Sequence, residues 1–187
     1  MPTSIVLWSL AALLLFWTVG AYNRLMRLRA DANSAFAALG AELAGQIDLV
    51  RLQLPPEEPV PVGGEASFWG GLHGAAGQVA ASLAAARARP LEPQGIAALN
   101  SAQAVLAMAW ERAVRDDAHD LAGPRLPDTV LARRAQLALQ VHAASEQFNQ
   151  AVARYNEGIA QFPALLLAWL FGFKPGRGVA QPSPTLH

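Results

Sequence analysis

Cysteine is missing from the 187 residues, and lysine occurs once, at Lys174. The first absence excludes disulfides, thiolate catalysis and cysteine-based metal sites together. It also excludes the lipidated cysteine of a bacterial lipoprotein. Arginine supplies almost all the basic charge, which reads as genome bias before function. Charge is scarce as well, with 14 basic side chains balanced by 14 acidic ones. A net charge of zero favours no nucleic-acid partner, and none is expected. Strand signals are few and alanine is abundant, so the chain is read as all-α.

One long uncharged run is present. Ile5 to Tyr22 is roughly 17–18 residues, the short end of what spans a hydrocarbon core. Trp17 and Tyr22 sit where interfacial aromatics anchor such a helix. A cleaved signal peptide is the rival reading, since Val19-Gly20-Ala21 resembles a cleavage site. No basic residue precedes the apolar run, however, and the helical pattern continues through the supposed cut. Residues 1–21 are therefore expected to be a retained transmembrane anchor. Arg24, Arg27 and Arg29 follow the span while Met1 to Ser4 carries no basic side chain. The positive-inside rule then sets the N-terminus outside and the domain on the cytoplasmic side of a bacterial inner membrane. A periplasmic domain is the alternative.

Residues 22–173 are expected to form the domain. Leu25, Leu28, Ala32, Phe36, Leu39, Leu43 and Val50 keep helical spacing up to Pro55-Pro56, so the anchor continues as a rigid post. A Pro-rich loop near 54–66 breaks it. A second helix is predicted from about Ser67 to Arg89, with Phe68, Leu72, Val79 and Leu83 inward. Pro93 fits the first turn of a third, which buries Ile96, Leu99, Leu106, Trp110 and Ala113. After a turn region from Asp116 to Pro127, Asp128 is expected to cap a fourth helix running to about Phe162. Phe148, Val152, Tyr155, Ile159 and Phe162 form its seam, with Asn149 and Asn156 alongside. Those two asparagines either fix register, as buried Asn does in coiled coils, or bind a partner peptide.

Four helices with short or medium connections imply an antiparallel up-down bundle continuous with the transmembrane helix. Parity then returns the fourth helix to the membrane. The apolar segment 162–173 that follows is too short to cross. It is read as an interfacial or re-entrant element, with Trp169, Phe171 and Phe173 at the membrane surface and Lys174 beyond. Capping the bundle base or closing a protomer contact is the other reading. Residues 174–187 are expected to be a flexible tail.

Chemistry is hard to find. Asp116, Asp117, His119 and Asp120 read as a solvated turn, because a metal needs several converging ligands. His142 and Glu146 share a helix face, yet two groups do not make a zinc site. Gly70-Gly71-Leu72-His73-Gly74 lacks the Lys-Ser/Thr of a phosphate loop. No catalytic residue, cofactor or metal site is expected.

The two ends carry a family pattern. Tyr22-Asn23-Arg24-Leu25-Met26-Arg27-Leu28-Arg29 after an apolar helix resembles the opening of the LemA family. Phe148-Asn149, Val152, Tyr155-Asn156, Ile159, Phe162-Pro163 and Leu170-Phe171-Gly172-Phe173-Lys174-Pro175 are similar to its closing signature. Of the family's first interhelical tip, only Asp48 and Leu49 survive. The resemblance implies a membrane-anchored helical bundle with no established enzymatic activity. One branch organises an internal membrane, and other members are encoded near membrane-linked proteases or repeat-type partner proteins. Expected partners are accordingly the lipid bilayer, further copies of the chain, and a membrane protease or envelope protein.

Overall fold

The computed structural model describes residues 2–54, 68–119, 126–162 and 164–180. Those residues form five helices and, among them, no strand: α1 (Pro2–Gln53), α2 (Phe68–Ala88), α3 (Pro93–His119), α4 (Asp128–Ala160) and α5 (Ala164–Phe171). The Pro-rich loop near 54–66 lies outside the described residues, apart from Leu54. So do the side chains of Phe68 and of the Asp116–Asp120 cluster.

α1 runs without a break from the apolar N-terminal stretch into the folded part. It is the one described helix long and apolar enough to cross a membrane, and its apolar window is wholly unburied. From Leu25 onward its helical stripe goes inside. Leu25, Ala32, Phe36, Leu39, Leu43 and Val50 are all buried, as their spacing requires. Leu28 is only partly covered.

α1 packs against α4 and α2, and α2 packs against α3. The α1–α4 pair is antiparallel. Leu25 lies beside Gly158, Phe36 meets Phe148 edge-on at 5.3 Å, and Gly45 faces Leu137, so numbers rise along one helix as they fall along the other. At Gly158 the helices approach so closely that an added Cβ would stand 2.6 Å from Leu28 Cδ1. Glycine's missing side chain is what permits that distance.

The α2–α3 connection is a tight turn closed by Glu92 N–H donating to the Arg89 carbonyl at 3.0 Å. Leu91 in this turn touches both hydrophobic clusters, the main one and a smaller one at the base. The expected buried face of α3, from Ile96 to Ala113, is buried throughout. By contrast, α3 and α4 make no close backbone approach among the described residues. Arg134 bridges them high up, its guanidinium 5.0 Å from the Trp110 ring.

Three local expectations are corrected. Asp128 is the first helical residue, not a side-chain cap; Pro127 precedes the helix, and its carbonyl accepts from Val130 at 2.9 Å. Asp128 still suits the first turn, where a carboxylate complements the helix dipole. Phe162 leaves the seam, because α4 stops at Ala160, and its ring is 71% exposed. The third correction concerns the tail: from Lys174 to Ala180 it is hydrogen-bonded to α3 and α4 instead of free. Residues 181–187 lie outside the described residues.

Candidate functional site at the base and along the α3–α4 groove

The base is built where α4 returns beside residues 17–29 of α1. Leu25, Tyr155, Ile159, Ala164, Leu167 and Ala168 form its buried cluster. α5 has two faces by its helical spacing. Ala164, Leu167 and Ala168 point in, whereas Leu165, Leu166, Trp169 and Leu170 point out, with Trp169 84% exposed. Such a row of large exposed apolar side chains is what a soluble surface avoids.

The predicted interfacial residues meet one another here. Trp17 meets Phe162 in a tilted ring contact with centroids 5.5 Å apart, and Tyr22 stands between Phe171 at 5.6 Å and Phe173 at 6.4 Å. Arg29 lies over the Phe173 ring at 5.9 Å. Arg24 donates to Gln161 Oε1 at 3.1 Å. Arg27 is exposed, and Phe173 is tucked in rather than presented outward.

α5 ends by a left-handed glycine. Gly172 has φ +69°, and Phe173 N–H donates back to the Ala168 carbonyl at 2.9 Å. That five-residue return bond closes a Schellman turn. It aims the chain upward along α4.

Beyond this turn the chain becomes an extended strap, Lys174 to Ala180, laid in the α3–α4 groove. Tyr155 OH donates to the Lys174 carbonyl at 3.2 Å. Asn156 grips Gly176 twice, accepting its N–H at 2.8 Å and donating to its carbonyl at 2.9 Å. Asn149 grips Val179 in the same way, again at 2.8 and 2.9 Å. Asn100 on α3 accepts the Ala180 N–H at 3.0 Å. The spacing has a simple origin. Seven residues of helix rise about 10.5 Å, and three extended residues span about 10 Å. Asparagines two helical turns apart thus meet main-chain units three residues apart.

Two glycines let the strap lie this close. A Cβ on Gly178 would strike the Asn149 side chain, and one on Gly176 would press on Leu91 at 3.0 Å. Val179 alone drops into the main core. The six hydrogen bonds bring a net gain of about 1 kcal/mol each. Burying Val179 adds about 1.5 kcal/mol. Ordering seven residues costs about 1 kcal/mol each, so the strap is held by a narrow margin.

A trypsin assay checks this. Arg177 is exposed on the strap, but cleavage there needs the strap to lift. Changing Asn149 and Asn156 together to alanine is expected to speed cleavage after Arg177 roughly threefold, the most that so narrow a margin allows, with helix content unchanged. An unchanged rate would mean that the asparagines do not hold the strap.

Burial pushes the Tyr155 phenol above its ordinary value of 10.0, with Arg29 partly opposing. The neutral form is the one that donates to Lys174. A raised acid contributes stability that is full below pH 10 and lost as pH climbs through its folded-state value. Thermal midpoints of the wild type should therefore fall more steeply above pH 10 than those of Tyr155→Phe.

Sequence reading brought together the base residues but missed Gln161, Gly158, Asn100, Gly176, Gly178 and Val179. The alternation Gly176-Arg177-Gly178-Val179, set against asparagines seven apart, was the available signal. Among the described residues, no three His, Cys, Asp or Glu side chains gather in one place. No protein-family model, curated protein or solved structure matches this chain.

Proposed function

We propose that the chain is a membrane-anchored, non-enzymatic scaffold of the LemA type. In this reading α1 to α4 form an up-down four-helix bundle standing on the bilayer, and α5 is a second contact with the lipid surface. The observation that carries it is the outward apolar row of α5, set beside the part of α1 where the uncharged stretch ends. A helix too short to span, apolar on its free face and held at that level, is suited to lie in the headgroup zone. Arg24, Arg27 and Arg29 follow the anchor and orient the bundle toward the cytoplasm of a bacterial inner membrane.

Copies of such a protein would set many apolar wedges in one membrane patch and organise that membrane or its proteins. Crosslinking in native membranes tests the assembly: ladders of oligomers are expected, and monomers alone at high expression would refute it. Protease access to the C-terminal tail in intact cells against spheroplasts tests the orientation. Cleavage only after the inner membrane is opened is the expected result, and cleavage in spheroplasts would place the bundle in the periplasm.

A second reading, an adaptor of a membrane protease or envelope-stress system, is favoured by one observation. The α3–α4 groove holds an extended peptide, and an adaptor needs such a surface. Co-purification of a protease without self-assembly would support it over the first.

A further inference from the structure

We infer that the cleft between α1 and α5 holds one acyl chain of an anionic phospholipid, whose phosphate lies among the arginines that follow the anchor. The inference rests on the membrane reading and names the lipid that this reading leaves open. Thr18, Val19 and Tyr22 of α1 face Leu167 and Phe171 of α5 across an open cleft of about 200 Å³. Its wall is apolar. Thr18 contributes to that character by spending its hydroxyl on the Leu14 carbonyl at 2.7 Å. Ordered water needs several polar partners, and this wall supplies none.

Size narrows the choice of occupant. Pockets that take drug-sized ligands begin at roughly 300 Å³, so the cleft suits a thin, flexible chain. Its α1 side belongs to the uncharged stretch that ends at Tyr22. A hydrocarbon chain entering from the bilayer therefore meets no charge on that side.

Charge selects the other end of the ligand. Along α1 the side chains pass from apolar Val19 through aromatic Tyr22 to basic Arg24, Arg27 and Arg29. A phospholipid has the same order from chain to phosphate. Thr18, Tyr22 and Arg29 are spaced by four and seven residues, which sets them on one helical face. Arg29 stands about 10.5 Å beyond Tyr22. Phe173 joins the two, 6.4 Å from the Tyr22 ring and 5.9 Å beneath the Arg29 guanidinium. Lys174 follows it at once and is exposed, adding a cation on the α5 side. Neither Arg27 nor Arg29 pairs with a carboxylate among the described residues. A guanidinium of this kind is suited to a phosphate, which it can grip through two parallel hydrogen bonds.

Native mass spectrometry of the full chain in detergent tests this, with phosphatidylglycerol and phosphatidylcholine supplied in equal amounts. One firmly held lipid per chain is expected, with phosphatidylglycerol preferred at least roughly fivefold. Val19 is 51% exposed, so Val19→Trp can fill the cleft without disturbing the core. It is expected to cut retention roughly tenfold, what losing two buried methylenes costs, with helix content unchanged. Arg29→Gln should leave the cleft open and lower the preference for phosphatidylglycerol roughly fivefold.

Retention unaffected by Val19→Trp, or equal uptake of both lipids by the unaltered chain, would overturn the inference. So would a lipid-free dimer that Val19→Trp takes apart, since a second copy would then be the occupant. A fluorophore at Leu166→Cys, in nanodiscs with brominated lipid, keeps the two readings distinct. Quenching there with no lipid held in the cleft would sink this inference alone; no quenching would sink the membrane reading beneath it.

Discussion

Phe148→Ala is expected to lower the stability of the helical domain by roughly 3–5 kcal/mol, the range for deleting a fully enclosed aromatic ring. Phe148 has no exposed surface and meets Phe36 edge-on, midway along the antiparallel α1–α4 pair. Removing it leaves a cavity facing Phe36, and two long helices cannot collapse locally to fill it. Thermal melting followed by circular dichroism in nanodiscs measures the effect. A midpoint within a degree or two of the wild type would mean that the α1–α4 seam is not where stability resides.

The second large effect is expected at α5, and it separates lipid contact from folding. Leu166 and Trp169 are 58% and 84% exposed. In water, changing both to aspartate should alter stability by no more than about 0.5 kcal/mol each, as for other surface sites. On a bilayer, the same change removes about 1.5–3 kcal/mol of apolar burial per side chain. Hydrogen exchange in nanodiscs reads the difference. Amides of α5 are expected to exchange at least roughly tenfold faster in the double variant, while α1 and α4 keep their protection. Unchanged α5 exchange, with the wild type equally protected in lipid-free detergent, would leave α5 as a simple cap on the bundle.

Much of the fold was legible because helical periodicity is a property of adjacent residues. The stripes from Leu25 to Val50 and from Ile96 to Ala113 name their own buried faces, and Pro93 marks a helix start. The return of α5 to residues 17–29 agrees with the expected direction of α4, which runs antiparallel to α1. Periodicity failed where backbone geometry took over. Phe162 keeps the spacing of the α4 seam, yet the helix has ended, and spacing no longer sets its direction. The strap was illegible for a different reason. Lys174 to Ala180 is polar and holds no regular structure of its own. Its order comes from Asn100, Asn149 and Asn156, residues far away in sequence whose amides match main-chain groups. Composition describes what a segment can do alone, and this one is ordered by what it lies against.

The absence of cysteine allows a direct test of the membrane geometry, because a single introduced thiol can be labelled without background. Leu166→Cys on the outer face of α5 and Leu139→Cys on α4 remove similarly exposed leucines, one at the base and one far from it. Each is labelled with an environment-sensitive fluorophore and titrated with brominated lipids in nanodiscs. Strong quenching at position 166 with none at 139 is the expected result. A label at 166 that is as wet and unquenched as the one at 139 would contradict the placement of α5 against lipid.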